Sequence, residues 1–116
     1  MEIQHFIQDK VLIITPVERR FDVISSPQLK EKILELIDKT HIQEIIFDLH
    51  HINFIDSAGL VCFLSIWKKL NNKTGNVKFA SLTPPVKQII ELVLLNRVFD
   101  IYDNVEDAIK NDELLL

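Results

Sequence analysis

The stretch IIFDLHHINFIDSAGL, residues 45–60, decides the fold. Its first five residues, Ile45-Ile46-Phe47-Asp48-Leu49, read as a strand. Val11-Leu12-Ile13-Ile14 is a second apolar run, continuous enough to suit a strand covered on both faces. Beyond Asp56-Ser57 the apolar spacing changes to that of a helix, with Leu60, Phe63, Leu64 and Trp67 on one stripe. Another strand-like run follows from Val77 to Leu82. Strand, helix, strand within one short segment implies a right-handed crossover between parallel strands.

Working outward, the same alternation continues. Residues 3–8 and 11–17 are two β-prone runs joined by Asp9-Lys10, which predicts a tight hairpin and an antiparallel edge. Pro16 is expected to mark the end of the second run. A first helix is predicted from Ser26-Pro27, with Ser26 as hydroxyl N-cap and Leu29, Ile33, Leu36 and Ile37 facing inward. Asn71 to Asn76 reads as a turn. Thr83-Pro84 opens a third helix, with Val86, Ile89, Ile90 and Val93 inward. Phe99 to Tyr102 reads as a short strand. Asn104 caps a last helix, whose apolar face Leu114 to Leu116 either extends or leaves to fray. The predicted class is α/β: one domain over residues 1–116, with a mixed, mostly parallel sheet of four to five strands and about four helices.

Composition limits the function. The chain has 116 residues, 47% of them apolar and 26% charged, with two glycines and four prolines. Disorder is excluded, and a core of ordinary size needs no metal or disulfide staple. The net charge of −4 argues against nonspecific binding of nucleic acid. Cys62, the single cysteine, closes no intrachain disulfide. No leader pattern and no long apolar run stand at the start, so a cytoplasmic protein without membrane insertion is expected.

Loops that follow parallel strands gather at one sheet edge, where open α/β sheets place their sites. Residues 17–26, 49–57 and 82–84 form such loops here. Asp22 is therefore expected near Ser57, although 35 positions separate them in the chain. Asp56 or Ser57 serves as a helix N-cap, or the pair marks a site. Gly59 favours a site mildly, because glycine in a first turn costs up to about 1 kcal/mol relative to alanine. That cost is easier to accept where something must approach the backbone closely.

Asp48-Leu49 followed by Phe54-Ile55-Asp56-Ser57-Ala58-Gly59-Leu60 resembles the signature of STAS domains, and in particular of bacterial anti-sigma factor antagonists. Arg20-Phe21-Asp22, Ser81-Leu82-Thr83-Pro84-Pro85-Val86-Lys87 and Asn96-Arg97-Val98-Phe99-Asp100-Ile101-Tyr102 resemble further family segments, so the likeness runs over about residues 3–110. The resemblance implies that Ser57 is phosphorylated by an anti-sigma factor that is also a serine kinase, and that a phosphatase reverses this. It implies that the unmodified protein binds that anti-sigma factor and frees a sigma factor. Asp22, Asp56, Ser57, Ala58, Gly59, Val61 and Cys62 are the expected partner surface. No cofactor is implied, and a monomer or weak dimer is expected. Arg19 and Leu94 depart from the family pattern, since many relatives carry glycine there. The family also contains cytoplasmic subunits of membrane lipid transporters and scaffold subunits of stress-sensing assemblies, which are the alternatives.

Other chemistries fit poorly. A hydrolase elbow reads G-x-S-x-G, but Ile55 stands two residues before Ser57, and no histidine follows His51. His50 and His51 are adjacent and are expected to point apart, which makes joint metal coordination awkward. Neither Gly59 nor Gly75 belongs to a phosphate-binding loop. Lys68, Lys69 and Lys73 read as a solvated helix end.

Overall fold

Strands Glu2–Gln8 (β1) and Val11–Val17 (β2) form an antiparallel hairpin in which Gln8 faces Val11 and Glu2 faces Val17. The computed structural model describes residues 1–71 and 76–113. Asp9 takes a left-handed φ of 56° in the two-residue link, a conformation that aspartate tolerates better than most residues. The pair flanking such a link exchanges both backbone hydrogen bonds, and bonded and non-bonded pairs then alternate. Pro16 faces Ile3, in a non-bonded pair, so its nitrogen points away from β1. On that other side, pairing with the strand Glu44–Asp48 (β4) ends at Ile14 opposite Phe47. Pro16 thus removes no ladder bond, and β2 runs one residue past the expected stop.

The remaining elements are Arg20–Phe21 (β3), helix Ser26–Lys39 (α1), Phe54–Ile55 (β5), helix Ser57–Asn71 (α2), Asn76–Ala80 (β6), helix Pro84–Leu92 (α3), a 3-10 turn at Leu95–Arg97, Asp100–Tyr102 (β7) and helix Val105–Glu113 (α4). The main sheet has the order β1-β2-β4-β6-β7, antiparallel only between β1 and β2. One face carries Leu12, Ile14, Ile45, Phe47, Val77 and Phe79, packed against buried residues of α1, α2 and α3. On the other, Ile46 and Ala80 pack against Ala108 of α4. Phe63 of α2 joins the layers, with its ring centroid 4.9 Å from Phe47 and 5.0 Å from Phe79. Burying a side chain of this kind stabilises by about 1.5–3 kcal/mol.

Several expectations need correcting. The N-cap of α1 is Ser25 rather than Ser26, and its hydroxyl makes no bond to the helix. In α2 the buried line is Cys62, Phe63, Ile66 and Leu70, while Leu60, Leu64 and Trp67 pack partly buried against it. The apolar stripe is therefore wider than the sequence period indicated, because α2 packs against α1 as well as against the sheet. Val93 lies past the end of α3 and is exposed. Asn104 caps α4 as expected, with its Oδ1 accepting from the Asp107 N–H at 2.8 Å. Most of the turn expected at 71–76, with Lys73, and Leu114–Leu116 lie outside the described residues.

Under α4 the sheet contains a charged pair. Lys78 is 1% exposed, and its Nζ sits 2.8 Å from Glu44 Oε1 and donates to the Ala108 carbonyl at 3.0 Å. The Tyr102 ring centroid is 5.3 Å from the same Nζ. Leu94 opens the 3-10 turn with a left-handed φ of 63°. A side chain in that region costs roughly 1–2 kcal/mol, a cost that glycine would not carry. Leu94→Gly should therefore raise the unfolding free energy by about 1 kcal/mol in urea titration, the relief of strain exceeding the added chain entropy.

Candidate functional site

Two strands too short to read from the sequence assemble the site. Parallel pairing of β3 with β5 sets Arg20 beside Phe54 and Phe21 beside Ile55. The Asn53 and Asp56 N–H groups donate to the Arg19 and Phe21 carbonyls, at 2.9 and 3.3 Å. The Arg20 guanidinium lies 3.9 Å above the Phe54 ring. Asp22 leaves β3 where Asp56 and Ser57 leave β5, so the topology brings these three residues together as expected.

Asp56 performs two tasks with one carboxylate. Its Oδ1 accepts from the Gly59 N–H at 2.9 Å, the cap-to-third-residue bond at the start of α2. Its Oδ2 accepts from the Val23 N–H at 3.1 Å, which ties down the loop between β3 and α1. Asp56 is thus the cap, and Ser57 is the first helical residue. Ser57 is exposed, and its hydroxyl has no hydrogen-bond partner among the described residues.

Asp22 organises its own loop. Its Oδ1 accepts from the Ile24 and Ser25 N–H groups at 3.0 and 3.1 Å. The Ser25 hydroxyl lies between that oxygen and the Arg20 carbonyl, at 3.3 and 3.1 Å. The hydrogen bond from the Ser25 backbone is the main cause that holds the Asp22 carboxyl below its ordinary value of 3.8, and Arg20 adds to it from 3.7 Å. Because the folded value is lowered, this support is present above the ordinary value and is lost as the pH falls through the folded one.

The expected partner residues divide by depth. Val61 is 59% exposed and Ala58 is half-buried. Both line an open groove of about 280 Å³ between α1 and α2, together with Ser26, Pro27 and Lys30. Cys62 forms the groove's floor and is only 5% exposed, with its Sγ 3.5 Å from the Ser26 carbonyl oxygen. Burial pushes its thiol up to about 11. Gly59 is buried too. A Cβ placed there would lie 2.7 Å from the Phe21 carbonyl oxygen and 2.8 Å from the Phe21 and Ile55 side chains. The backbone that must approach Gly59 is therefore the protein's own β3.

The sequence pattern does not single out Val23 and Ile24. They are 66% and 75% exposed and stand on the loop that Asp22 and Asp56 hold. Two aliphatic residues between an aspartate and a helix cap were the available signal. Elsewhere, the His50 and His51 rings lie with centroids 3.9 Å apart, tilted by 41°, instead of diverging, and His50 Nδ1 lies 2.8 Å from Asp48 Oδ1. Among the described residues, no three His, Cys, Asp or Glu side chains gather where a metal could bind. The Thr83 hydroxyl donates to the Ile52 carbonyl at 2.7 Å. No helix among the described residues is long and apolar enough to cross a membrane.

A sheet flanked in this way, with a serine at the mouth of its second helix, defines a known class. The STAS domain family pattern matches residues 3–108, and the chain belongs to that family. It is 26% identical over 104 residues to the anti-sigma F factor antagonist of Paenibacillus polymyxa, covering 90% of this chain and 89% of that protein. The anti-sigma factor antagonist SpoIIAA in its unphosphorylated form superposes with a TM-score of 0.84 at 19% identity, over 99% of each chain. The phosphorylated form of the Bacillus cell fate determinant SpoIIAA superposes at 0.74 and 19% identity, over 95% of this chain and 98% of that one.

Gly59→Ala should lower the unfolding free energy by about 1–3 kcal/mol, the usual cost of overpacking. Amide chemical shifts should change at Phe21 and Ile55. Unchanged stability with no shift at those residues would contradict the close approach of β3 to α2.

Proposed function

We propose that this protein is an anti-sigma factor antagonist whose binding is gated by phosphorylation of Ser57. Its partner is an anti-sigma factor with serine kinase activity, and a phosphatase resets it. The protein contributes a binding surface and no catalysis of its own. The observation that carries this reading is the Ser57 hydroxyl: exposed, uncommitted to the fold, and bordered by the aliphatic side chains Val23, Ile24 and Val61. Family membership and the antagonist relatives supply the class of partner.

A phosphate on Ser57 adds about −1.5 to −2 charges at the first turn of α2. The helix dipole favours an anion there by ~0.3–1 kcal/mol, so the modification leaves α2 folded. The penalty falls on docking. Asp22 and Asp56 present carboxylates beside Ser57 and offer no counter-charge. Arg20 is engaged by the Phe54 ring and lies near Asp22. A hundredfold loss of affinity requires only ~2.7 kcal/mol, and burying an unpaired charge costs several kcal/mol.

Incubation with the cognate kinase and ATP should add one phosphate, read by intact mass and mapped to Ser57. Ser57→Ala should bind the anti-sigma factor without accepting phosphate, and Ser57→Asp should bind at least tenfold more weakly in calorimetry. Phosphate on Ser81 or Thr83 with Ser57 untouched would overturn the assignment.

A further inference from the structure

The outer edge of β1 is unguarded in a way that most edge strands are not. Natural edges are blunted by lysine, proline, bulges or short length. The other edge of this sheet, β7, is three residues long and begins with Asp100. β1 is seven residues long, pairs with β2 without a bulge, and contains neither lysine nor proline. Glu2 is its one acidic residue, and Phe6 stands 59% exposed on it.

The hairpin register shows which groups the edge presents. Gln8 and Val11 close the two-residue link and exchange both bonds, so Gln8, Phe6, Gln4 and Glu2 direct their backbone groups to β2. Ile3, His5 and Ile7 direct theirs outward. Pro16, which lacks an N–H, sits opposite Ile3 and agrees with this assignment.

We infer that β1 pairs antiparallel with β1 of a second copy, about a two-fold axis at His5, and joins the two sheets into one of ten strands. In this register Ile3 faces the partner's Ile7, His5 faces the partner's His5, and Ile7 faces the partner's Ile3. Every outward N–H and carbonyl then finds a mate, giving six hydrogen bonds by the bonded-pair pattern. Charge agrees as well. Glu2 meets the uncharged Gln8 of the partner subunit, so no like charges oppose each other across the seam. Phe6 lies diagonal to the partner's Phe6, roughly 7–8 Å away and within aromatic reach. The half-buried Ile3 and Ile7 extend the helical-side core across the junction. None of these residues belongs to the site around Ser57, so the inference stands independently of the proposed function.

Sedimentation equilibrium at high micromolar concentration should give twice the chain mass. His5→Pro removes an outward N–H and no bond to β2. It should leave the circular dichroism unchanged and weaken self-association at least tenfold. Phe6→Lys, which keeps the whole backbone, should do the same. His5→Cys should form a disulfide-linked dimer under mild oxidation, since directly opposed bonded residues lie about 5.5 Å apart at Cα. Ile3→Cys should not, being displaced from its own copy by roughly 13 Å of strand. Buried Cys62 does not compete. A wild-type monomer at every concentration, a dimer that survives both His5→Pro and Phe6→Lys, or cross-linking at position 3 instead of 5 would overturn the proposal.

Discussion

The Asp56 carboxylate is the joint on which this molecule's surface depends. One oxygen caps α2 through Gly59, and the other holds the Val23 N–H of a loop 33 residues earlier in the chain. An N-cap alone is worth about 0.5–2 kcal/mol. The second bond adds position, fixing the exposed Val23 and Ile24 relative to the first turn of α2. Beneath the joint, the missing side chain of Gly59 lets β3 descend onto the helix. Without that close approach the β3–β5 pair and the helix mouth would separate, and Asp22 would not stand beside Ser57.

This division of labour explains why the serine is available. An aspartate and a serine stand next to each other at a helix start, and either is a good cap. The aspartate takes the role because its two charged oxygens, set apart on one carboxylate, each accept an N–H from a different segment. Ser57 is left at the first helical position, pointing into solvent. Asp22 is kept from it in turn by its own turn, where it accepts from Ile24 and Ser25. Two carboxylates are thus occupied by backbone N–H groups, and one hydroxyl is left free beside them. The four exposed aliphatics at the far end of α3 and the following turn, Leu92, Val93, Leu94 and Val98, are a separate feature of the surface.

Much of the architecture was legible residue by residue. The alternation of β-branched runs with helical periods placed every long strand and all four helices. The loop rule for parallel sheets is enough to put Asp22 near Ser57. What escaped has physical reasons. β3 and β5 are two residues each, too short for a period to show, and they exist because their partner strand is present. The depth of Cys62 depends on α1 lying across α2, which no spacing within α2 reports. Pro16 looked like a terminator because the chain does not reveal which side of a strand is left open.

The order of the long strands and the helices, the position of the candidate serine and the family likeness were settled by the sequence itself, since hydrophobic period and local motif are properties of neighbours along the chain. Only tertiary structure decided that Asp56 rather than Ser57 caps the helix, that Gly59 serves its own β3, and that Lys78 lies buried against Glu44. Each of these is a contact between segments remote in sequence. Its energy depends on distance and on exclusion of water, and both come into being only when the chain has folded.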